Sequence, residues 1–198
     1  MRPALFLAST SVYRAALLAR LGIAFETEAP EVDETAIDGE TPRAHALRLA
    51  RAKADAVAAR HPDAWVLGSD QVAVCSGRSF GKPGDAARCR EQLRTSSGQA
   101  VEFHTAAVML RARPHTIEEH VDRTIVRFRP LSESEIARYV ELDRPFDCAG
   151  GFRSEGLGAA LFDSIETCDP SAIVGLPLIW VANALRRAGV DPLAPIQR

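Results

Sequence analysis

Residues 4–22 put the strongest constraint on what this chain can fold into. Ala4 to Ala8 is an unbroken apolar run, Ser9-Thr10-Ser11 follows at once, and a helical pattern extends from about Val12 to Leu21 before Gly22. The short apolar run suits a buried strand. Ser11 suits a helix N-cap, and Gly22 suits the residue just past a helix end. The first element is therefore a strand that turns directly into a helix across two serines.

The same alternation continues along the chain. Ile23 to Ala29 reads as a second strand, and residues 30–39 as an acidic loop. Thr41 as cap and Pro42 at the first helical position open a long helix that runs to about Arg60. Ala64 to Gly68 is a short apolar strand, and Gln71 to Cys75 either continues it or lies across from it. Residues 77–84 read as a turn-rich loop carrying Gly81-Lys82-Pro83, and Asp85 to Arg94 as a helix closed by Ser96-Ser97-Gly98. Ala100 to Leu110 and His120 to Phe128 form strand patterns joined by a hairpin over 111–116. Ser132 with Glu135 is a capping box, which starts a helix reaching about Leu142. Cys148 to Gly158 is a glycine-rich loop, Ala159 to Ile165 a strand, and Pro177 to Gly189 frames the last helix. Strands and helices that alternate around a central hairpin predict an α/β domain with a mixed sheet.

Composition narrows the class. The 198 residues suffice for one domain with a sizeable core, and 46% of them are hydrophobic. A net charge of -2, from 24 basic and 26 acidic side chains, does not suit a general nucleic-acid or membrane-surface binder. No apolar run approaches the roughly 20 residues of a membrane span. Cys75, Cys89, Cys148 and Cys168 show no C-x-x-C spacing, so four free thiols in a reducing cytoplasm are expected.

Three segments carry chemistry. A strand that ends in Ser9 and Ser11 and opens a helix presents free backbone N–H groups and hydroxyls, which suit a phosphate. Arg14, one turn into that helix, could fork onto two phosphate oxygens. The plain alternative is a serine cap beside a solvated arginine. Asp70 follows a short apolar strand, where open α/β sheets place ligands, and could ligate a divalent ion or take a proton from water. Burying an acid between apolar strand patterns is costly unless it has a partner. Glu31, Asp33 and Glu34 offer further carboxylates, or a merely solvated loop. Lys53 and Lys82 could neutralise phosphates, or lie on the surface and in a turn. Glu155, in the glycine-rich loop, could accept two N–H bonds from a guanine edge, or face water. Gly175-Leu176-Pro177 reads as a structural turn.

Taken together, LASTSVYRAALLARLGI, APEVDET, RLARAKADAV, VLGSDQV, GKP, LRTSSG, CAGGFRSEGLG and DPSAIVGLPL resemble the Maf family of nucleotide pyrophosphatases, from Leu5 to about Leu193. The resemblance implies a single inosine-triphosphatase-like α/β domain over 1–198, elongated, with a central mixed twisted sheet and a cleft between two lobes. It also implies hydrolysis of a nucleoside triphosphate between the α and β phosphates, with magnesium or manganese. Asp70 matches the family's proton acceptor, and Ser9, Arg14, Glu34, Lys53 and Lys82 match its phosphate and metal residues, with Glu34 and Asp70 holding the ion.

Tyr13, Gln71 and Glu155 stand where the 7-methyl-GTP subgroup carries an aromatic residue, Gln and Glu. An aromatic face attracts a methylated, cationic guanine by roughly 0.5–2 kcal/mol. Removal of modified nucleotides before they enter nucleic acids is the role this implies. The competing readings are the same chemistry on dTTP or UTP, and a nucleotide-binding regulator of division or septation. The expected partner is the triphosphate, with no nucleic acid and no membrane, and a homodimer is compatible with the sequence. Val12 and Gly151 depart from the family pattern, which usually has Pro and Ser there.

Overall fold

A computed structural model describes residues 4–194 and shows a mixed seven-stranded sheet with five α-helices. The strands are β1 (Leu5–Ala8), β2 (Glu26–Glu28), β3 (Trp65–Cys75), β4 (Arg78–Phe80), β5 (Ala100–Arg111), β6 (Thr116–Phe128) and β7 (Phe162–Glu166). The helices are α1 (Val12–Ala19), α2 (Pro42–Ala58), α3 (Ala86–Ser96), α4 (Glu133–Asp143) and α5 (Leu178–Arg187). Strand order is β2-β1-β3-β5-β6-β7, and β4 pairs with β3. β1 is parallel to both β2 and β3, whereas β4 runs antiparallel to β3 and β7 to β6. Among the described residues no helix is long and apolar enough to cross a membrane.

The chain divides into two compact units, and β3, β5 and β6 contribute residues to both. The first unit holds residues up to Asp70, Thr105–Val121 and the chain from Asp169 onward. Its core follows strand alternation. Leu5, Leu7, Trp65, Leu67 and Met109 cluster with Leu17 and Leu18 of α1 and with Val181, Ala184 and Leu185 of α5. The spacing of those three α5 residues is that of one apolar helix stripe. The opposite face of β3 meets α2, whose buried stripe runs through Ala46, Leu49, Ala50, Lys53, Ala54 and Val57. Contact there is so close that a Cβ on Gly68 would lie 2.2 Å from the Ala50 carbonyl oxygen and 2.8 Å from the Ala54 nitrogen.

The second unit holds Gln71–His104 and Asp122–Cys168. Phe103, Phe128, Phe152 and Phe162 form a series of edge-to-face contacts at its centre. Around them lie the buried Cys89 and Leu93 of α3 and Ile136, Tyr139 and Val140 of α4. The capping box of α4 forms as expected from Ser132 and Glu135. The glycine-rich loop is wired to its surroundings. Arg153 donates its backbone N–H to the Tyr139 hydroxyl and Nη1 to the Asp143 carbonyl, and the Cys89 thiol donates to the Gly151 carbonyl.

Local differences from the sequence reading have identifiable causes. Of the two arrangements left open for Gln71 to Cys75, the structure has the continuation, a single strand Trp65–Cys75, because Ser69 and Asp70 are buried with partners and do not interrupt the ladder. Residues 77–84 contain a short strand, since Ser76 (φ 48°) and Gly77 (φ 78°) make the tight turn that returns the chain onto β3. Only Glu26–Glu28 of the second expected strand pairs, and β6 begins at Thr116 rather than His120. Leu157–Leu161 is a 3₁₀ turn, so β7 starts later than expected, at Phe162.

Two outcomes test this packing. Gly68→Ala forces α2 off β3 and should cost about 1–3 kcal/mol in urea unfolding, the usual range for overpacking. The Glu135 carboxylate accepts from the Ser132 N–H and hydroxyl and pairs with Arg129, which together hold its pKa down to about 2, against 4.5 for an ordinary glutamate. A depressed acid contributes stability that is complete above its unfolded pKa and is lost as pH falls toward the folded one. Glu135→Gln should therefore reduce the loss of stability between about pH 5 and 2, followed by denaturation at each pH.

Candidate active site

The first turn of α1 is built as the sequence suggests. Ser11 is the N-cap, its Oγ accepting from the Arg14 N–H at 3.4 Å, and the buried Ser9 Oγ accepts from the Ser11 N–H at 3.1 Å. Each hydroxyl keeps its own proton as a donor. Val12 takes the first helical position and is 70% exposed. Tyr13 and Arg14 are half-buried in the same turn.

The centre of the first unit is an ion-pair triad. Lys53 reaches from the buried stripe of α2 with Nζ 2.6 Å from Asp70 Oδ1 and 2.6 Å from Glu34 Oε1. The side chains of Lys53 and Asp70 are 7% and 11% exposed, while that of Glu34 is 61% exposed. A lysine in the middle of a buried helix stripe is tolerable only if its ammonium finds partners. The narrow gap at Gly68, two residues before Asp70, brings α2 within reach of the strand end. Burial pushes the Arg14 guanidinium below its ordinary pKa, and the negative charges of Asp70 and Glu34 act in the opposite direction. That electrostatic coupling places Arg14 in the field of the same two carboxylates.

The acidic loop separates by role. Asp33 turns back on its own backbone, with Oδ1 accepting from the Thr35 N–H at 2.9 Å and from the Thr35 hydroxyl at 2.6 Å. Those bonds hold its pKa below the usual carboxylate range. Glu31 is exposed with φ 31°, and Arg48 ties the loop down through Glu40 and the Thr35 carbonyl. Only Glu34 of the three carboxylates pairs with Lys53. Among the described residues no group of three or more His, Cys, Asp or Glu side chains could hold a metal ion. Asp70 and Glu34 nonetheless share one ammonium, and two hard oxygen donors suffice for magnesium or manganese when phosphate and water complete the shell.

The remaining sequence candidates lie in the second unit. Gln71 follows Asp70 in β3 and is half-buried. Lys82 is exposed on a loop held by Gln92, which donates to the Gly81 carbonyl, and by the Gly84 N–H on the Phe146 carbonyl. Glu155 is exposed and accepts from the Ser154 hydroxyl.

The sequence reading passed over one part of the first unit. The Gly175 carbonyl accepts from Arg14 Nε at 3.0 Å and from the Ser69 hydroxyl at 2.9 Å. Gly175-Leu176-Pro177 is thus more than a turn into α5, for its first carbonyl binds Arg14. The only local signals were a glycine between apolar residues and the preceding Asp169-Pro170-Ser171.

The Maf-like protein family model matches residues 4–188. A 7-methyl-GTP pyrophosphatase of Xanthomonas axonopodis pv. citri (strain 306) is 54% identical over 187 residues, covering 94% of this chain and 97% of the relative. The protein of that name from Thiobacillus denitrificans is 47% identical over 191 residues, covering 96% and 95%. The one from Bordetella avium is 49% identical, covering 96% of both chains. Among solved structures, the Staphylococcus aureus Ham1 protein aligns over 63% of this chain and 71% of its own, with TM-score 0.45 and 14% identity.

The triad predicts its own stability cycle. Lys53→Met leaves the Asp70 carboxylate buried without a cation and should cost about 3–5 kcal/mol in urea unfolding. Adding Asp70→Asn to that variant should recover part of the loss, because the uncompensated charge is then gone.

Proposed function

The chain belongs to the Maf family, and from that premise we propose that it is a nucleoside triphosphate pyrophosphatase that converts 7-methyl-GTP to 7-methyl-GMP and pyrophosphate. One observation in the structure carries the reaction class: the Lys53 ammonium held between Asp70 and Glu34. Relatives about half identical over nearly the whole chain, and named for that substrate, support the substrate.

In this reading a triphosphate lies against the N–H groups and hydroxyls of the Ser9–Ser11 turn, and Arg14 neutralises phosphate charge. Water attacks the α-phosphorus in line, the α–β anhydride bond breaks, and pyrophosphate departs with the electron pair of that bond. The proton of the attacking water passes to Asp70. Oδ1 of Asp70 is engaged by Lys53, so acceptance falls to Oδ2. Lys53 orients Asp70, and has one donor beyond the two spent on the carboxylates. Glu34 and Asp70 are the carboxylates that would hold magnesium or manganese, which supplies charge neutralisation on the phosphate oxygens. The family resemblance alone assigns charge to Lys82 and base discrimination to Tyr13, Gln71 and Glu155. We place the reaction in the cytoplasm, where Cys75, Cys89, Cys148 and Cys168 stay reduced.

A panel of 7-methyl-GTP, GTP, dTTP and UTP, assayed for pyrophosphate release with each metal, tests the reading. The methylated nucleotide should be hydrolysed fastest, chelation should abolish turnover, and Asp70→Asn should lower it by about 10³-fold or more with the fold intact. Faster release from dTTP or UTP would reassign the substrate. Tight nucleotide binding without turnover would point to a regulator instead.

A further inference from the structure

The segment Asp169 to Pro177 is more heavily cross-linked than a turn between a strand and a helix requires. Asp169, 4% exposed, accepts from the Ser171 N–H at 3.0 Å and the Ser171 hydroxyl at 2.6 Å through Oδ1, and from the Ile179 N–H at 2.7 Å through Oδ2. Ser171 Oγ lies 2.8 Å from the Leu176 carbonyl and accepts from the Leu178 N–H at 2.8 Å. The buried Thr105 hydroxyl of β5 donates to the Ala172 carbonyl at 2.9 Å, at the start of a 3₁₀ turn. These bonds fix the chain on both sides of Gly175, whose φ of +116° is a conformation that side-chain-bearing residues rarely adopt.

The result of that fixation is one carbonyl aimed at Arg14. An arginine has donors on Nε, Nη1 and Nη2 in one rigid plane. Binding Nε to a stationary acceptor sets the direction of that plane and leaves the Nη edge for other partners. The Ser69 hydroxyl lies 2.9 Å from the same carbonyl and 2.7 Å from the Ala106 carbonyl, its one proton shared between the two. A Cβ at Gly175 would stand 3.4 Å from Arg14 Nε, an ordinary contact, so the backbone conformation and not the space calls for glycine here. Asp169 does serve α5 as well, since Pro177 gives that helix no side-chain cap. Ser171 also serves α5 through the Leu178 N–H, but support of α5 alone does not account for Thr105 anchoring the turn from β5.

We propose that Asp169 and Ser171 are positioning residues for phosphate chemistry, acting through the Gly175 carbonyl to orient the Arg14 guanidinium. The inference rests on the reading of Arg14 as a phosphate ligand given above. The hydrogen bonds of both residues go to the turn and to the start of α5, so in this proposal both act on turnover only while Arg14 is present to be oriented.

A mutant cycle separates this from a purely structural role. Ser171→Ala should lower kcat for 7-methyl-GTP on the order of tenfold, and Ser171→Thr, which keeps the hydroxyl, should restore most of it. In an Arg14→Lys background, where the Nε donor is gone, Ser171→Ala should lower kcat no further, while its loss in melting temperature stays the same in both backgrounds. Equal fold losses in the two backgrounds, or a lower melting temperature with unchanged kcat, would overturn the proposal. Should Ser171→Ala not fold, Thr105→Val takes its place with the same expectations, since it releases the turn without touching Asp169. A second readout needs no turnover. The Arg14 Nε–H resonance, assigned by its disappearance in Arg14→Lys, should be sharp and slow to exchange in the parent chain and broadened in Ser171→Ala or Thr105→Val. An unaltered resonance would sink the positioning role even if the reaction is as proposed. A broadened one in a chain that hydrolyses no triphosphate would instead reject the reaction and leave the positioning intact.

Discussion

Strand alternation at the end of the first half of β3 is the constraint on which the candidate site depends. Consecutive residues of a strand point to opposite faces, and here the consecutive residues are Ser69 and Asp70. Ser69 turns to the side of α1 and α5, where its hydroxyl faces the Ala106 and Gly175 carbonyls. Asp70 turns to the side of α2, where it meets Lys53. One dipeptide thus addresses both helical layers of the first unit. A shift of one residue in the pairing of β3 with β1 would exchange the two faces and leave both polar side chains without partners.

Placing a charge at such a point is costly, and the surrounding sequence meets that cost with geometry. α2 carries Ala50 and Ala54 against Gly68, so the helix and strand approach without intervening side chains. Lys53 is then close enough to pair directly, and the exposed acidic loop supplies Glu34 as a second counter-charge. The neighbouring Asp33 is withheld from the ion pair by its own turn with Thr35. Which acid of the loop serves Lys53 is therefore decided by a local backbone preference, not by overall charge.

Much of this was legible in the sequence where a residue type has few physical uses. Ser11 before an apolar helix, Thr41-Pro42, and Ser132 with Glu135 were readable as helix starts because capping is local. Asp70 stood out because an acid beside apolar strand patterns needs a partner. What escaped was long-range or depended on hidden partners. Whether 71–75 continues 64–68 or lies across from it stayed open, since the partners that let the strand run through Ser69 and Asp70, Lys53 and the Ala106 and Gly175 carbonyls, are distant in sequence. Asp169 and Ser171 looked like an ordinary turn, because nothing in the local pattern shows that Gly175 comes to face Arg14, 161 residues earlier. The site residues expected in the second unit, Gln71, Lys82 and Glu155, rest on family resemblance, for their local surroundings alone give them no common purpose.

The thiol of Cys89 carries a consequence for the durability of the glycine-rich loop. Burial pushes its pKa up to about 11, so at neutral pH only about one molecule in 10⁴ carries the thiolate. Oxidants and electrophiles attack thiolates, not thiols. The tether to the Gly151 carbonyl is therefore chemically inert as well as mechanically useful. Under oxidative stress, when exposed thiols such as Cys168 are consumed first, the loop's anchorage outlasts them.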